Sequence, residues 1–305
     1  MKNLPSVLLN TDLPLPLFKS GKVRDTYQLG NHLLLVTTDR ISAFDSVLPN
    51  GIPDKGLVLN QLSAFWFDQT KDLVPNHVIE VVNDTSNLDA YLSQKSRFPY
   101  PPYLAGRSMI VTKAKRLPIE CVVRGYISGS AWMEYQQYGT VSGLQLPQGL
   151  QESQEFPQPL FTPTTKAESG HDQPLNTHEL KRMVGNRLAQ QIEEKSLAIY
   201  NYARGYALTR GIIIADTKFE FGLDGDKLIL IDELVTPDSS RFWDASQYQV
   251  GQSQSSYDKQ PVRDWLTASG WNKEPPAPEL PPDVIEATSK RYAQAYERLT
   301  GKKLG

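Results

Sequence analysis

Between Gly211 and Asp244 the chain writes out a hairpin whose one face is charged. Ile212-Ile213-Ile214-Ala215 leads into Asp216-Thr217-Lys218-Phe219-Glu220-Phe221. A Leu223-Asp224-Gly225-Asp226 turn follows, and Leu228-Ile229-Leu230-Ile231 returns to Asp232-Glu233. Two β-prone apolar runs joined by a Gly-bearing turn predict antiparallel strands buried in their middle. Period-two alternation puts Asp216, Lys218 and Glu220 on one face and Thr217, Phe219 and Phe221 on the other. A turn centred near Asp224 and Gly225 sets Asp232 roughly opposite Thr217, beside Asp216 and Lys218. Carboxylates gathered in this way are costly unless a cation neutralises them, and Mg2+ binds through carboxylates together with substrate phosphates. The same alternation also suits a solvated face on which Lys218 balances its neighbours. Next come Thr236-Pro237-Asp238-Ser239-Ser240-Arg241, an acid, hydroxyls and a guanidinium in a Pro-started turn, a set that can hold ribose and phosphate.

The rest of the chain mixes strands and helices. Val23 to Leu29, Gly30-Asn31 and Leu33 to Thr38 read as a hairpin, and Asn60 to Phe67 as a short helix. Phe98-Pro99-Tyr100-Pro101-Pro102-Tyr103 is neither regular helix nor central strand, so it reads as a loop, and Met109 to Thr112 as a strand. Ser128 or Ser130 can cap a helix to about Tyr138, closed by Gly139. From Gln145 to Gln173 the chain is polar and carries several prolines without a period, a long loop of the kind often tied to function. Asn176-Thr177-His178-Glu179 resembles a capping box for a helix reaching Thr209, which Gly185 and Gly205 bend or split. Pro282 leads into a last helix from Asp283 to Leu299. The mixture predicts an α+β protein in two lobes.

Several chemistries are set aside. The formal net charge of -2, with no basic stripe, gives no pull towards nucleic acid. A single cysteine, Cys121, and no signal-like start suggest a reducing cytoplasm, and no apolar run is long enough for a membrane helix. Four histidines without metal-ligand spacing argue against a zinc enzyme, and His171 reads as loop surface. There is no Walker A loop, no GxGxxG and no Gly-x-Ser-x-Gly elbow.

Two further segments offer anion contacts. Gly21-Lys22-Val23-Arg24-Asp25 has a Gly turn and a Lys able to reach phosphate, although Lys22 and Arg24 also read as surface charges. Glu120-Cys121-Val122-Val123-Arg124-Gly125 reads as a strand feeding a Ser/Gly helix start, where free N–H groups and the macrodipole attract anions. There Arg124 and Ser130 either hold a phosphate, or Arg124 pairs with Glu120 while Ser130 merely caps.

Taken together these segments resemble the succinocarboxamide synthases of purine synthesis, in the longer form also seen in fungi. The resemblance rests on Gly21 to Asp25, Thr38-Asp39-Arg40-Ile41-Ser42-Ala43-Phe44-Asp45, Glu120 to Tyr126 with Ser128-Gly129-Ser130, and Thr164-Thr165-Lys166-Ala167-Glu168. It continues through Asp216 to Gly222, Asp232-Glu233 and Thr236 to Arg241, in order over nearly the whole chain. It departs at Ala131 and Met133, where the family pattern has Gly and Lys. The resemblance implies a kinase-like N-terminal β-rich lobe, residues 1–112, and an ATP-grasp-like C-terminal lobe, residues 113–305. It implies a ligase that joins L-aspartate to the carboxylate of carboxyaminoimidazole ribotide, using ATP and Mg2+, by way of an acyl phosphate. It further implies nucleotide contacts for Lys22, Arg24, Lys113 and Glu120, with the adenine along Met109 to Lys115, and metal contacts for Glu220 and Asp232. Arg124, Ser130 and Arg241 are expected on the ribotide phosphate and Asp238 on the ribose. Lys218, Asp216 and Lys166 are expected in the reaction itself, Lys166 with its loop towards aspartate. The partners expected are small molecules, in a monomer or small homo-oligomer.

Two rivals share parts of this pattern. A kinase would also use a Lys-bearing hairpin and an Asp near metal, but the chain has no HRD-type loop, and Asp216 is followed by Thr-Lys rather than Phe-Gly. A non-catalytic nucleotide-binding protein would bind ATP without turnover.

Overall fold

The computed structural model describes residues 7–44, 46–166 and 172–304. The chain divides into two compact units, one of Met1–Phe67, His77–Lys113 and Asp258–Gly305, the other of Asp68–Asn76 and Ala114–Tyr257.

The first unit is built on a five-stranded antiparallel sheet. Its order is Leu17–Ser20, Arg24–Leu29, His32–Thr37, Ser108–Thr112 and Val78–Val81. The predicted Gly30-Asn31 hairpin is present, with Leu29 opposite His32 and Gly30 at φ 57°, a conformation that glycine adopts without strain. Tyr27, Leu29, Leu34, Val36 and Ile110 form a core with Val82, Leu88 and Leu104, and Phe98, Tyr100 and Tyr103 of the Pro-rich loop close over it.

The helix expected over Asn60 to Phe67 runs Lys55–Gln69. Asp54 stands just before it, but at φ 62°, outside the extended backbone usual for a cap. Asp39, wholly buried and distant in sequence, accepts from the Gly56 amide at 2.8 Å and supplies an N-terminal partner. The same carboxylate accepts from the Leu8 amide at 2.8 Å and from Arg107 at 3.0 Å.

The C-terminal helices differ from the lobe division read in the sequence. Gln260–Ala268 and Pro282–Thr300 pack with the short hairpin of Arg40–Ala43 and Ser46–Gly51, not with the elements that precede them. Val262, Leu266, Leu280 and Ile285 share one apolar cluster with Ile41, Ala43, Leu48 and Ile52. Amphipathic periodicity marks the buried stripe of each helix, but it carries no information about which partner buries it.

The second unit is an antiparallel sheet in the order Glu155–Phe161, Lys115–Tyr126, Ile212–Asp224 and Lys227–Ile231. Thr164–Thr165 adds to the Lys115 strand, and Ser240–Asp244 pairs with the Ile212 strand. The strand Glu155–Phe161 and the Thr164–Thr165 pairing lie inside the stretch expected as structureless. Pro157 and Pro159 concealed the strand, but it lies at an edge, where proline removes no ladder bond, and its register with Tyr126 and Arg124 is irregular. The capping box is formed: Asn176 accepts from the Glu179 amide and Glu179 from the Asn176 amide, each at 2.9 Å. The helix it opens stops at Val184, because Gly185 (φ 85°, ψ 157°) breaks the spiral. A second helix, Asn186–Thr209, then runs unbroken through Gly205. It lays Ile192, Ile199, Tyr200, Ala203 and Ala207 in the unit's interior.

Leu266→Ala tests the packing of the C-terminal helices. It is expected to cost roughly 2–5 kcal/mol in chemical denaturation of the intact chain. A loss under about 0.5 kcal/mol, typical of surface changes, would show that this cluster contributes little.

Candidate functional site

The strand Ile212–Asp224 positions the charged groups of the second unit. It is flanked on both sides, so its alternating acids and lysine are held in a sheet rather than on a solvated surface. Asp216 and Glu220 are each only 5% exposed, which rules out the solvated-face reading. On one side Asp216 lies opposite Arg124, Lys218 opposite Val122 and Glu220 opposite Glu120. On the other, Asp216 lies opposite Arg241 and Thr217 opposite Ser240.

Two charge clusters result. In the first, Asp216 sits between two guanidiniums. Arg124 Nη1 donates to Asp216 Oδ2 at 3.3 Å, and Arg241 donates to the same oxygen. Arg124 Nε also donates to Thr162 Oγ1 at 3.1 Å. Burial, and then Arg241, work against the charge on Arg124, while Asp216 favours it. The alternative pairing of Arg124 with Glu120 is not the one formed. Ser130 opens the helix Ser130–Tyr138, but the cap position is Gly129 at φ 57°, without a side-chain cap bond. Gly129 is required twice over. Its φ favours glycine, and a Cβ there would stand 2.4 Å from Arg241 Nη2. The neighbouring Ser128 Oγ is buried, without a hydrogen-bond partner among the described residues.

The second cluster joins Glu120, Lys166, Lys218, Glu220 and Asp232. Lys218 Nζ contacts Glu120 at 2.9 Å and 3.0 Å from its two oxygens. Lys166 Nζ donates to Glu120 Oε1 at 2.9 Å and also to Glu220. Two carboxylates directly opposite in a sheet repel, so the bridging ammonium is what permits Glu120 and Glu220 to face each other. Burial first, and then Asp232, push the Glu220 carboxyl up to about 7 against the pull of Lys166. Glu120 behaves oppositely. Burial raises it, but Lys218 and Lys166 together hold it below the usual range. Lys166 loses from burial, yet Glu220, Asp232 and Glu120 drive its pKa upward. Burial likewise works against Lys218, and Glu120 outweighs it.

The hairpin register corrects one expectation. Asp224 pairs with Lys227 and Glu220 with Ile231, so the turn is Gly225-Asp226, one residue later than expected at its centre. Pairing stops at Ile231, and Asp232 turns away with φ 70°. Its charge acts on Glu220 and Lys166. Beyond it, Thr236 Oγ1 donates to Glu233 at 2.8 Å and accepts from the Asp238 amide at 3.2 Å, and Thr217 and Ser240 hydroxyls share a bond of 2.8 Å. The Asp238 turn is thereby pinned beside Arg241.

Lys22, Arg24 and Lys113 belong to the first unit. The Gly21 amide donates to the Arg24 carbonyl at 2.7 Å, closing the turn that carries Lys22. Arg40 clamps that turn. It donates to the Gly21 carbonyl at 2.9 Å and the Lys22 carbonyl at 3.2 Å, and pairs with Asp25 at 2.9 Å and 3.1 Å. Lys113 Nζ donates to Gln28 at 3.1 Å and lies over the Phe18 ring. Arg40 and Thr162 were given no role from the sequence. Arg40 stands in a motif that could have signalled it. Thr162 gave no signal, because only its pairing with Val122 places it. Asp45, Glu168 and His171 lie outside the described residues.

Among the described residues no three acidic, imidazole or thiol groups converge as a protein-only metal cage, and no helix is long and apolar enough to cross a membrane.

Comparison with known proteins gives the family and the fold. The family model described as SAICAR synthetase matches residues 17–278. A phosphoribosylaminoimidazole-succinocarboxamide synthase of Thermodesulfovibrio yellowstonii is 51% identical over 304 residues, covering 98% of this chain and 100% of that protein. One of Desulfosudis oleivorans is 52% identical over 300 residues, covering 98% and 100%. Among solved structures, SAICAR synthase of Saccharomyces cerevisiae complexed with SAICAR superposes with TM-score 0.88 at 47% identity, covering 97% of this chain and 99% of that one. A SAICAR synthetase in complex with ADP gives TM-score 0.67 at 26% identity, covering 93% and 98%.

The raised Glu220 carboxyl makes a pH prediction for the ligand-free protein. The native state holds this proton to about pH 7, whereas the unfolded chain releases it near its ordinary 4.5. Between those values the native state binds more protons, so this group's contribution to stability falls as pH rises through the window. The melting temperature of Glu220→Gln is therefore expected to vary less with pH across it than that of the wild type. Identical slopes would contradict the burial and repulsion assigned to Glu220.

Proposed function

The chain belongs to the SAICAR synthetase family, and on that premise we propose which residues carry the ATP-dependent joining of L-aspartate to carboxyaminoimidazole ribotide (CAIR), which gives SAICAR, ADP and phosphate. The observation that carries the assignment is the single strand face on which Asp216, flanked by Arg124 and Arg241, precedes Lys218 and Glu220. Four residues of strand separate a guanidinium end from a carboxylate and lysine end by about 13 Å. On that span a ribotide would lie along the strand with its phosphate at Arg124, Arg241 and Ser130 and its carboxylate towards Lys218. Asp238, on its pinned turn, takes the ribose.

A carboxylate is a poor electrophile, because amine attack would have to expel oxide. Transfer of the γ-phosphoryl group to the CAIR carboxylate gives an acyl phosphate and ADP. Attack by the aspartate amine then forms the amide and expels phosphate. For such transfers the protein's contribution is largely alignment and charge neutralisation. Lys218 steadies the reacting carboxylate, Asp216 keeps both guanidiniums aimed, and Lys166 orients towards aspartate. Lys22, Arg24, Lys113 and Glu120 take the nucleotide roles by resemblance, with the adenine along Met109 to Lys115.

Glu220 and Asp232 suit Mg2+: one is buried with its charge disfavoured by the other, a strain that a divalent cation relieves. When bound there, the ion would supply positive charge for the nucleotide phosphates. The partners proposed are ATP, CAIR and L-aspartate, without nucleic acid or membrane, in a cytoplasmic monomer or small homo-oligomer.

The direct test is phosphate release from ATP with Mg2+ and CAIR, with and without L-aspartate. Release that requires both substrates and yields SAICAR is expected. Aspartate-independent transfer would favour a kinase, and ATP binding without turnover a non-catalytic protein. Asp232→Asn is expected to lower kcat on the order of a thousandfold in a folded protein; wild-type turnover would remove Asp232 from the metal site. Arg241→Ala is expected to raise the KM for CAIR roughly tenfold to hundredfold while that for ATP moves less than about threefold. Equal effects on both would overturn the phosphate assignment.

A further inference from the structure

Tyr200 belongs to the long helix Asn186–Thr209 and is wholly buried, yet its hydroxyl reaches the sheet where Asp216 begins. Its Oη donates to the Ile214 carbonyl at 2.7 Å and lies 3.5 Å from the Ala215 carbonyl. This is where the ladder is interrupted. Ile214 pairs with Phe242, but the next pair is Asp216 with Arg241, so two steps on the central strand answer one on its neighbour. Ala215 is the extra residue of a β-bulge, and a bulge leaves backbone groups without ladder partners. The Tyr200 hydroxyl takes the Ile214 carbonyl, the one just before that extra residue.

The bulge decides where Asp216 points. In an uninterrupted ladder running on from Ile214 and Phe242, Ala215 would face Arg241 and Asp216 would face Ser240. A one-residue slip of this kind carries a side chain to the other partner and the other face. With the bulge, Asp216 stands opposite Arg241 on one side and Arg124 on the other. The tyrosine also fixes the second side. Gly125, which follows Arg124, leaves space for the phenol: a Cβ there would stand 1.9 Å from Tyr200 Oη.

We infer that Tyr200 is a positioning residue for the anion end of the site. Its hydroxyl holds the Ala215 bulge that brings Asp216 level with both Arg124 and Arg241, and it thereby sets the affinity for the ribotide without touching it. The inference rests on the ribotide reading of those guanidiniums.

The test is Tyr200→Phe in the full chain, which keeps the ring and removes only the hydroxyl. The KM for CAIR is expected to rise about tenfold, with kcat and the KM for ATP within about twofold of wild type. In an Asp216→Asn background, where the bulge has no carboxylate to place, the added effect of Y200F on CAIR dissociation in calorimetry is expected to fall below about twofold. An unchanged KM for CAIR would overturn the inference. So would equal rises in both KM values, the pattern of general loosening, or the same penalty with and without the Asp216 carboxylate. The wild-type enzyme in the same assay keeps the two questions apart. If it forms no SAICAR the functional reading fails, whereas if it does and Y200F matches it, only the role of Tyr200 fails.

Discussion

Burying acids on a strand is the constraint from which the second unit follows. Asp216 and Glu220 face the inside of a sheet, where an unpaired charge costs several kcal/mol or more. Three neighbouring segments answer these charges. The strand Lys115–Tyr126 brings Arg124 to Asp216, the strand Ser240–Asp244 brings Arg241, and Lys166 arrives beside Glu220 just beyond the short Thr164–Thr165 pairing. Glycine at 129 makes room for one guanidinium, and Thr162 tethers the other. The sheet is thus also an electrostatic frame, and its pairing register is what keeps each cation with its acid.

The two clusters on that frame are balanced differently. Asp216 faces two guanidiniums. Glu220 faces another carboxylate across the ladder and a third group, Asp232, whose charge raises its proton affinity, with Lys166 as the local counterweight.

Most of the hairpin's geometry was legible in advance. Alternation is a property of the backbone, so the sharing of a face by Asp216, Lys218 and Glu220 needed no tertiary knowledge. The turn position was off by one residue at its centre, and that sufficed to set Asp232 opposite Thr217, where it does not lie. The capping box and the break at Gly185 were legible because they are local chemistry. Three features were not. The strand Glu155–Phe161 was masked by prolines that only an edge tolerates. The helix start at Lys55 depends on Asp39, which lies far back in the chain. The Ala215 bulge has no signature, since Ile-Ile-Ile-Ala reads as plain strand and only the phenol of Tyr200 marks the irregularity. In each case the missing information was a partner distant in sequence.

The return of the last helices to the first unit bears on how the chain is made. Asp258–Gly305 supplies Val262, Leu266, Leu280 and Ile285 to a cluster whose other half, Ile41 to Ile52, leaves the ribosome some two hundred residues earlier. During synthesis that early apolar surface stays uncovered while the whole of Ala114–Tyr257 emerges and can collapse around its own sheet. Domains generally fold as units, the N-terminal one first during synthesis. Here that order is inverted, so the unit begun first is finished last, and nascent chains stalled late in translation would carry a complete second sheet beside an unclosed first one.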